Sequence, residues 1–289
     1  MKFGTYFAYW EDSWKADYPK YIQKVKALGF DVLEITSDIM TFSNGQLADL
    51  KKMAADAGIK LTACLGLPEH LDVSSTDASV RRAGIEHMKK LFGAMHKADI
   101  DRVGGIIYAY WPADYAKPVN KEVARQHSLA SVREMADTAA GLGVTLLLEV
   151  VNRFEQYLIN DTDEVLAYLD EVERPNVKAM LDTFHMNIEE DNMCDAVRKA
   201  GKRLGHLHIG EANRKVPGKG SLPWKQLGQA LHDIGYDECV VMEPFIKTGG
   251  IVGKDIRVWR DLSNGIDEEH MDAEIAESLR FVRKAFMPG

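Results

Sequence analysis

Four side chains able to hold a cation, Glu149, Asp182, His208 and Glu243, each end a short apolar run. The runs are Leu146-Leu147-Leu148 before Glu149, Val177 to Leu181 before Asp182, Leu207 before His208, and Cys239 to Met242 before Glu243. Taken singly, each has an ordinary alternative: an acid paired with a neighbouring arginine, or a histidine satisfied in the core. Taken together they are three carboxylates and an imidazole, with too few nearby Lys and Arg to neutralise them, and buried anions in a cluster need a cation. A divalent metal is the simplest one. An oxygen-rich donor set suits Mn²⁺, Co²⁺ or Mg²⁺ better than a thiolate-seeking metal, with zinc the less natural choice. A metal beside two glutamates, Glu149 and Glu243, suits removal of a proton from carbon next to a carbonyl, the carboxylates acting as base and acid. If they flank a substrate on opposite faces, the transfer inverts a stereocentre; the alternative is that both are plain ligands.

Such a cluster forms only if the chain brings the four run ends together. Apolar, β-rich runs occur near residues 2–8, 32–37, 60–66, 102–108, 145–151, 177–183, 205–211 and 238–245. Helical patterns lie between them, among others Tyr21 to Leu28, Leu47 to Ala57, Val80 to Met95, Val123 to Ala140, Val165 to Val172 and Leu227 to Ile234. Asp267 to Phe286 reads as a long closing helix. Ser43 with Gln46 and Asp161 with Glu164 have capping-box spacing, and Gly29, Gly58, Gly143 and Gly235 stand where helices should stop. Strand and helix alternate with no Pro/Ser-rich linker or charge run, so the fold expected is α/β, a closed (β/α)8 TIM barrel forming one domain over residues 1–289. A doubly wound open sheet is the second choice. In such a barrel the active site lies at the carboxyl ends of the strands, where all four candidates fall. His206 is two residues before His208 on the same strand face, one layer deeper, and reads as core. His185 follows Asp182 where the strand turns into its loop, placed to touch substrate.

Composition narrows the partners. With 46% hydrophobic residues the chain can bury a large core, and 36 basic against 44 acidic residues give −8, with no basic stripe for nucleic acid. No long apolar stretch or signal segment is present, so a soluble, cytoplasmic protein without membrane partners is expected. Cys64, Cys194 and Cys239 are odd in number and widely spaced, which fits reduced thiols.

Longer motifs point further. Glu149-Val150-Val151-Asn152-Arg153-Phe154-Glu155, Leu181-Asp182-Thr183-Phe184-His185-Met186-Asn187 and Gly205-His206-Leu207-His208-Ile209-Gly210-Glu211, with Met242-Glu243-Pro244-Phe245, the opening Gly4-Thr5-Tyr6-Phe7 and Tyr110-Trp111-Pro112, resemble the ketose 3-epimerases acting on D-allulose (D-psicose) and D-tagatose. The resemblance spans nearly the whole chain and implies a xylose-isomerase-like barrel. It implies that Glu149, Asp182, His208 and Glu243 bind Mn²⁺ or Co²⁺ against O2 and O3 of an open-chain ketose. By the same resemblance one of Glu149 and Glu243 takes the C3 proton, a cis-enediolate forms, and the other returns a proton to the opposite face. Glu155, His185 and Arg214 match positions that hold the O1 and O2 end of the sugar, although Glu155 and Arg214 could simply pair. Tyr6, Trp14, Tyr108 and Trp111 stand at or after strand ends, where rings can pack on a sugar. A homodimer or homotetramer is implied.

One departure concerns the third strand's end, Cys64-Leu65-Gly66-Leu67-Pro68-Glu69-His70, where many relatives carry Gly-Pro-Ser; larger side chains there bear on recognition of C4 to C6. The runner-up function is an aldose–ketose isomerase of the same fold, working at C1 and C2. A repair endonuclease of similar fold would carry more histidine ligands and a basic groove, against a charge of −8. A non-catalytic sugar-binding barrel has no need of both Glu149 and Glu243.

Overall fold

The computed structural model describes residues 1–287. Eight parallel strands close in sequence order into a barrel: β1 Lys2–Tyr6, β2 Val32–Ile35, β3 Lys60–Leu67, β4 Arg102–Tyr110, β5 Thr145–Glu149, β6 Val177–Asp182, β7 Leu204–Ile209 and β8 Cys239–Met242. The ring closes by pairing of β1 with β8, Lys2 opposite Cys239 through Thr5 opposite Met242. Strands in such a barrel are covered on both faces, which is why Leu146, Leu147 and Leu148 are consecutive and all buried.

Around the barrel run α1 Tyr18–Ala27, α2 Asn44–Ala57, α3 Ala78–Lys97, α4 Lys121–Gly141, α5 Thr162–Val172, α6 Thr183–Glu189, α7 Met193–Ala200, α8 Trp224–Asp233, α9 Gly250–Asp255 and α10 Glu268–Ala285. Local chemistry sets their ends. Ser43 accepts from the Gln46 N–H while the Gln46 side chain accepts from the Ser43 N–H, the full reciprocal box. At α5 the box is skewed: Asp161 accepts from the Glu164 N–H, but Glu164 reaches the N–H of Asn160. Gly58 ends α2 at φ 67°, a left-handed conformation that glycine adopts without a Cβ clash. The short helices α6, α7 and α9 lie outside the helical stretches read from sequence, because six to eight residues give too few turns for an apolar period to stand out.

The amino-terminal mouth of the barrel is a ring of opposite charges. Lys60 bonds Asp101 at 2.5 Å, Arg102 bonds Asp101 at 3.0 Å and Glu238 at 2.9 Å, and Lys178 approaches Glu238 at 3.4 Å. Among the described residues no helix is long and apolar enough to cross a membrane.

Candidate active site

At the opposite mouth, β5, β6, β7 and β8 end side by side. Asp182 is paired with His208 and His208 with Val241 in the ladder, so neighbouring strands deliver their last side chains to one spot. Glu149, Asp182, His208 and Glu243 each offer a ligand atom there, all within 4.8 Å of one another. Asp182 Oδ1 caps α6 by accepting from the Phe184 N–H at 2.9 Å, which aims Oδ2 into the cluster. His208 Nδ1 lies 3.3 Å from Glu243 Oε1 and 3.7 Å from Glu149 Oε1. Among the described residues the buried side-chain atoms without a hydrogen-bond partner are the two ring nitrogens of His206, below the cluster, and, within it, Asp182 Oδ2 and His208 Nδ1. Two orphaned buried ligand atoms among carboxylates fit a divalent cation, because burial without a partner is otherwise costly.

Electrostatics agree with this fit. Burial first, then the Glu243 carboxylate, hold the Glu149 acid well above the usual glutamate range. Burial would strip the proton from His208, but the negative charges of Glu243 and Glu34 prevail and hold its pKa well above the usual value. Burial, followed by Glu149 and Glu34, pushes the Cys64 thiol up.

One guanidinium does reach the cluster. Arg214 Nη1 is 3.6 Å from Glu243 Oε2 and 3.9 Å from Asp182 Oδ2, while Nη2 is 3.2 Å from Glu155 Oε1. A single arginine is still short of three carboxylates, in keeping with the scarcity of cations read from sequence. Arg214 was expected at the sugar's O1 and O2 end or paired with Glu155; its approach to Asp182 and Glu243 was not read, because it lies on the loop after β7, at φ 65°, where strand patterning says nothing.

A cavity of about 430 Å³ opens above the cluster, lined by Tyr6, Trp111, Glu149, Glu155, His185, Arg214 and Glu243, with Trp14, Cys64, Leu65, Gly66 and Phe245 among its other walls. All five residues expected to hold substrate, Tyr6, Glu155, His185, Arg214 and Trp111, therefore face one space. Glu155 accepts from Trp111 Nε1 at 2.9 Å and from Asn152 Nδ2 at 3.1 Å. Burial would raise its pKa, yet the neighbouring His185 ring and Arg214 guanidinium hold the carboxyl below the usual range. A Cβ on Gly66 would stand 2.8 Å from Trp111 Cε3, so the absence of a side chain there lets the indole pack against the end of β3.

Two placements differ from the sequence reading. His185 lies on α6 rather than in a loop; its Nδ1 accepts from the Asn152 N–H at 3.2 Å, leaving Nε2 3.6 Å from Asp182 Oδ2. Tyr108 is not in the cavity. Its ring packs 6.3 Å from that of Tyr168 and its hydroxyl donates to the Glu149 carbonyl at 2.9 Å. The cause is an irregularity between β3 and β4, where pairing jumps from Gly66–Ile106 to Leu67–Tyr110 and strict alternation fails. His206 is core, as read. Glu34 went unnoticed: it is 1% exposed on β2, with Oε1 bonded to His208 Nε2 and Oε2 accepting from Thr62 Oγ1 at 2.7 Å. An acid inside Val32-Leu33-Glu34-Ile35 was the available signal.

A closed barrel with this acid–imidazole corner defines a class before it defines an activity. Residues 22–285 match the family model of the xylose isomerase-like TIM barrel. The chain is 49% identical to the D-psicose 3-epimerase of Ruminiclostridium cellulolyticum, over 98% of this chain and 97% of that one. It is 47% identical to the D-psicose 3-epimerase of Agrobacterium fabrum, over 98% of each. The solved D-psicose 3-epimerase of Clostridium cellulolyticum H10, determined with D-tagatose, superposes with a TM-score of 0.98 at 48% identity, each chain covered in full. The chain belongs to the ketose 3-epimerase family and is an isomerase-class enzyme acting on sugars.

Proposed function

We propose that the protein epimerises free ketohexoses at C3, interconverting D-fructose and D-allulose and accepting D-tagatose or D-sorbose, with Mn²⁺ or Co²⁺, and Mg²⁺ as an alternative, held by Glu149, Asp182, His208 and Glu243. The observation that carries this reading is the opening of Glu149 and Glu243 onto one cavity beside the orphaned Asp182 Oδ2 and His208 Nδ1. When bound, the cation supplies Lewis-acid polarisation of the ketose carbonyl and neutralises negative charge that develops on its oxygens. Glu155, His185 and Arg214 grip the O1 and O2 end, and Trp111, fixed by its hydrogen bond to Glu155, walls the cavity together with Tyr6. Glu149 and Glu243 come from β5 and from the residue after β8, so a sugar held between them presents one face to each. One carboxylate takes the C3 proton, leaving a cis-enediolate, and the other returns a proton to the opposite face. The Tyr6 phenol, its pKa raised first by burial and then by Cys64 and Glu243, stays neutral. The working protein is proposed to be a homodimer or homotetramer, on the family resemblance alone.

The test is incubation of Mn²⁺-loaded protein with D-fructose in D₂O, followed by NMR. Allulose deuterated at C3 is the expected product. Label at C1 or C2 with an aldose product would overturn the reading in favour of the aldose–ketose isomerase.

A further inference from the structure

We infer that Glu34 is a positioning residue that fixes which nitrogen of His208 faces the cation centre; this rests on the metal-centre reading above. Glu34 belongs to β2 and His208 to β7, so the contact crosses the barrel interior rather than following the ladder. Both side chains are buried, Glu34 at 1% and His208 at 0% exposure. Oε1 of Glu34 meets His208 Nε2 in a short hydrogen bond. Oε2 is held by the Thr62 hydroxyl at 2.7 Å and lies 3.1 Å from His206 Nε2.

The direction of the proton follows from the inventory of donors. An ionised carboxylate only accepts, so the nitrogen against Glu34 must carry the hydrogen, and Nε2 is that nitrogen. In the neutral imidazole that would bind a cation, Nδ1 then carries the lone pair. It is Nδ1 that points at Glu149 and Glu243, at 3.7 Å and 3.3 Å, and that has no partner of its own. The opposite tautomer would set a lone pair against the Glu34 carboxylate and a hydrogen where a ligand atom is needed. Thr62, on the neighbouring β3, stops the carboxylate from rotating, since swinging it away would lose a buried hydrogen bond. The arrangement is a carboxylate–histidine pair with its free nitrogen aimed at the ion, the kind of outer contact that sets ligand basicity and orientation.

A buried pair can also be purely structural, and the two roles separate in experiment. Free Mn²⁺ is measured by electron paramagnetic resonance during titration of metal-free wild type, Glu34→Gln and Thr62→Val, with metal-free melting temperature as the control for folding. The expected result is a Kd for Mn²⁺ raised roughly 10- to 100-fold in Glu34→Gln, the usual scale for loss of such a contact, and severalfold in Thr62→Val. The melting gain on adding Mn²⁺ should shrink in the same order. Folded Glu34→Gln and Thr62→Val proteins that bind Mn²⁺ within twofold of wild type would overturn the inference, as would a lower metal-free melting temperature with unchanged affinity. Should Glu34→Gln fail to fold, Thr62→Val alone decides, because the hydroxyl-to-methyl change keeps the Glu34 carboxylate and removes only its anchor. Failure of the wild type itself to take up Mn²⁺ would instead overturn the metal-centre reading, a result readily told apart from a flat variant series.

Discussion

The two mouths of the barrel carry the same kinds of side chain arranged on opposite principles. At the amino-terminal mouth, Asp101 and Glu238 are interleaved with Lys60, Arg102 and Lys178. Burial works against ionisation of both acids, yet Arg102 with Lys60 or Lys178 holds each carboxyl below its usual range. At the carboxyl-terminal mouth, acids face acids, with the His208 imidazole and one guanidinium, Arg214, among them, and the Glu149 acid is held up rather than down. One mouth is satisfied by the chain itself. The other is left in want of a cation, which is the condition of a site rather than of a scaffold.

The sharpest break of this contrast is at the acid corner. Glu149→Gln and Glu243→Gln should each lower kcat by a factor of at least ~10² to 10⁴, the range lost with a general acid or base, with the fold retained by circular dichroism. Either variant epimerising within tenfold of wild type would sink the two-base mechanism. Chelation should come next. Removing the cation should abolish turnover and, for a wild type held at a hundred times its Kd, cost about 2.7 kcal/mol of stability.

Acidity sharpens the same comparison. Glu149 and His208 have raised pKa values in the metal-free centre, so a cation must displace their protons, and its affinity should fall as pH drops through those values. For Glu149, a folded value above the unfolded one stabilises the metal-free protein at low pH, and that contribution is lost as pH rises through the raised value. The melting gain on adding Mn²⁺ should therefore grow with pH; a gain independent of pH would show that these two groups do not bind the ion.

At the other mouth the effect should be on stability alone. Arg102→Ala takes one of two cationic partners from each of two half-buried carboxylates and should cost about 1–3 kcal/mol, read by denaturant titration, with kcat and Mn²⁺ affinity unchanged. The smallest effect belongs to the exposed pair of Lys52 and Asp56 on α2, where Lys52→Ala should leave melting temperature unmoved, since solvent screens such pairs.

Much of this architecture was legible in local patterning. Strands are runs of apolar residues, helix starts are marked by Ser43, Asp161 and Asp267, and an acid or imidazole that ends a strand of a parallel barrel sits at one rim whatever the rest of the chain does. That is why Glu149, Asp182, His208 and Glu243 could be picked out before their distances were known. The reasoning stops where neighbours in space are far apart in sequence. Glu34 touches His208 from 174 residues away, Arg214 comes within 3.9 Å of Asp182 and 3.6 Å of Glu243, and Tyr108 was turned out of the cavity by the slip between β3 and β4. Periodicity records which face a residue takes, but not what stands opposite it. Closure of the ring decides that, because only closure sets β2 across from β7 and brings a loop arginine down onto the acids at the end of β6 and just beyond β8.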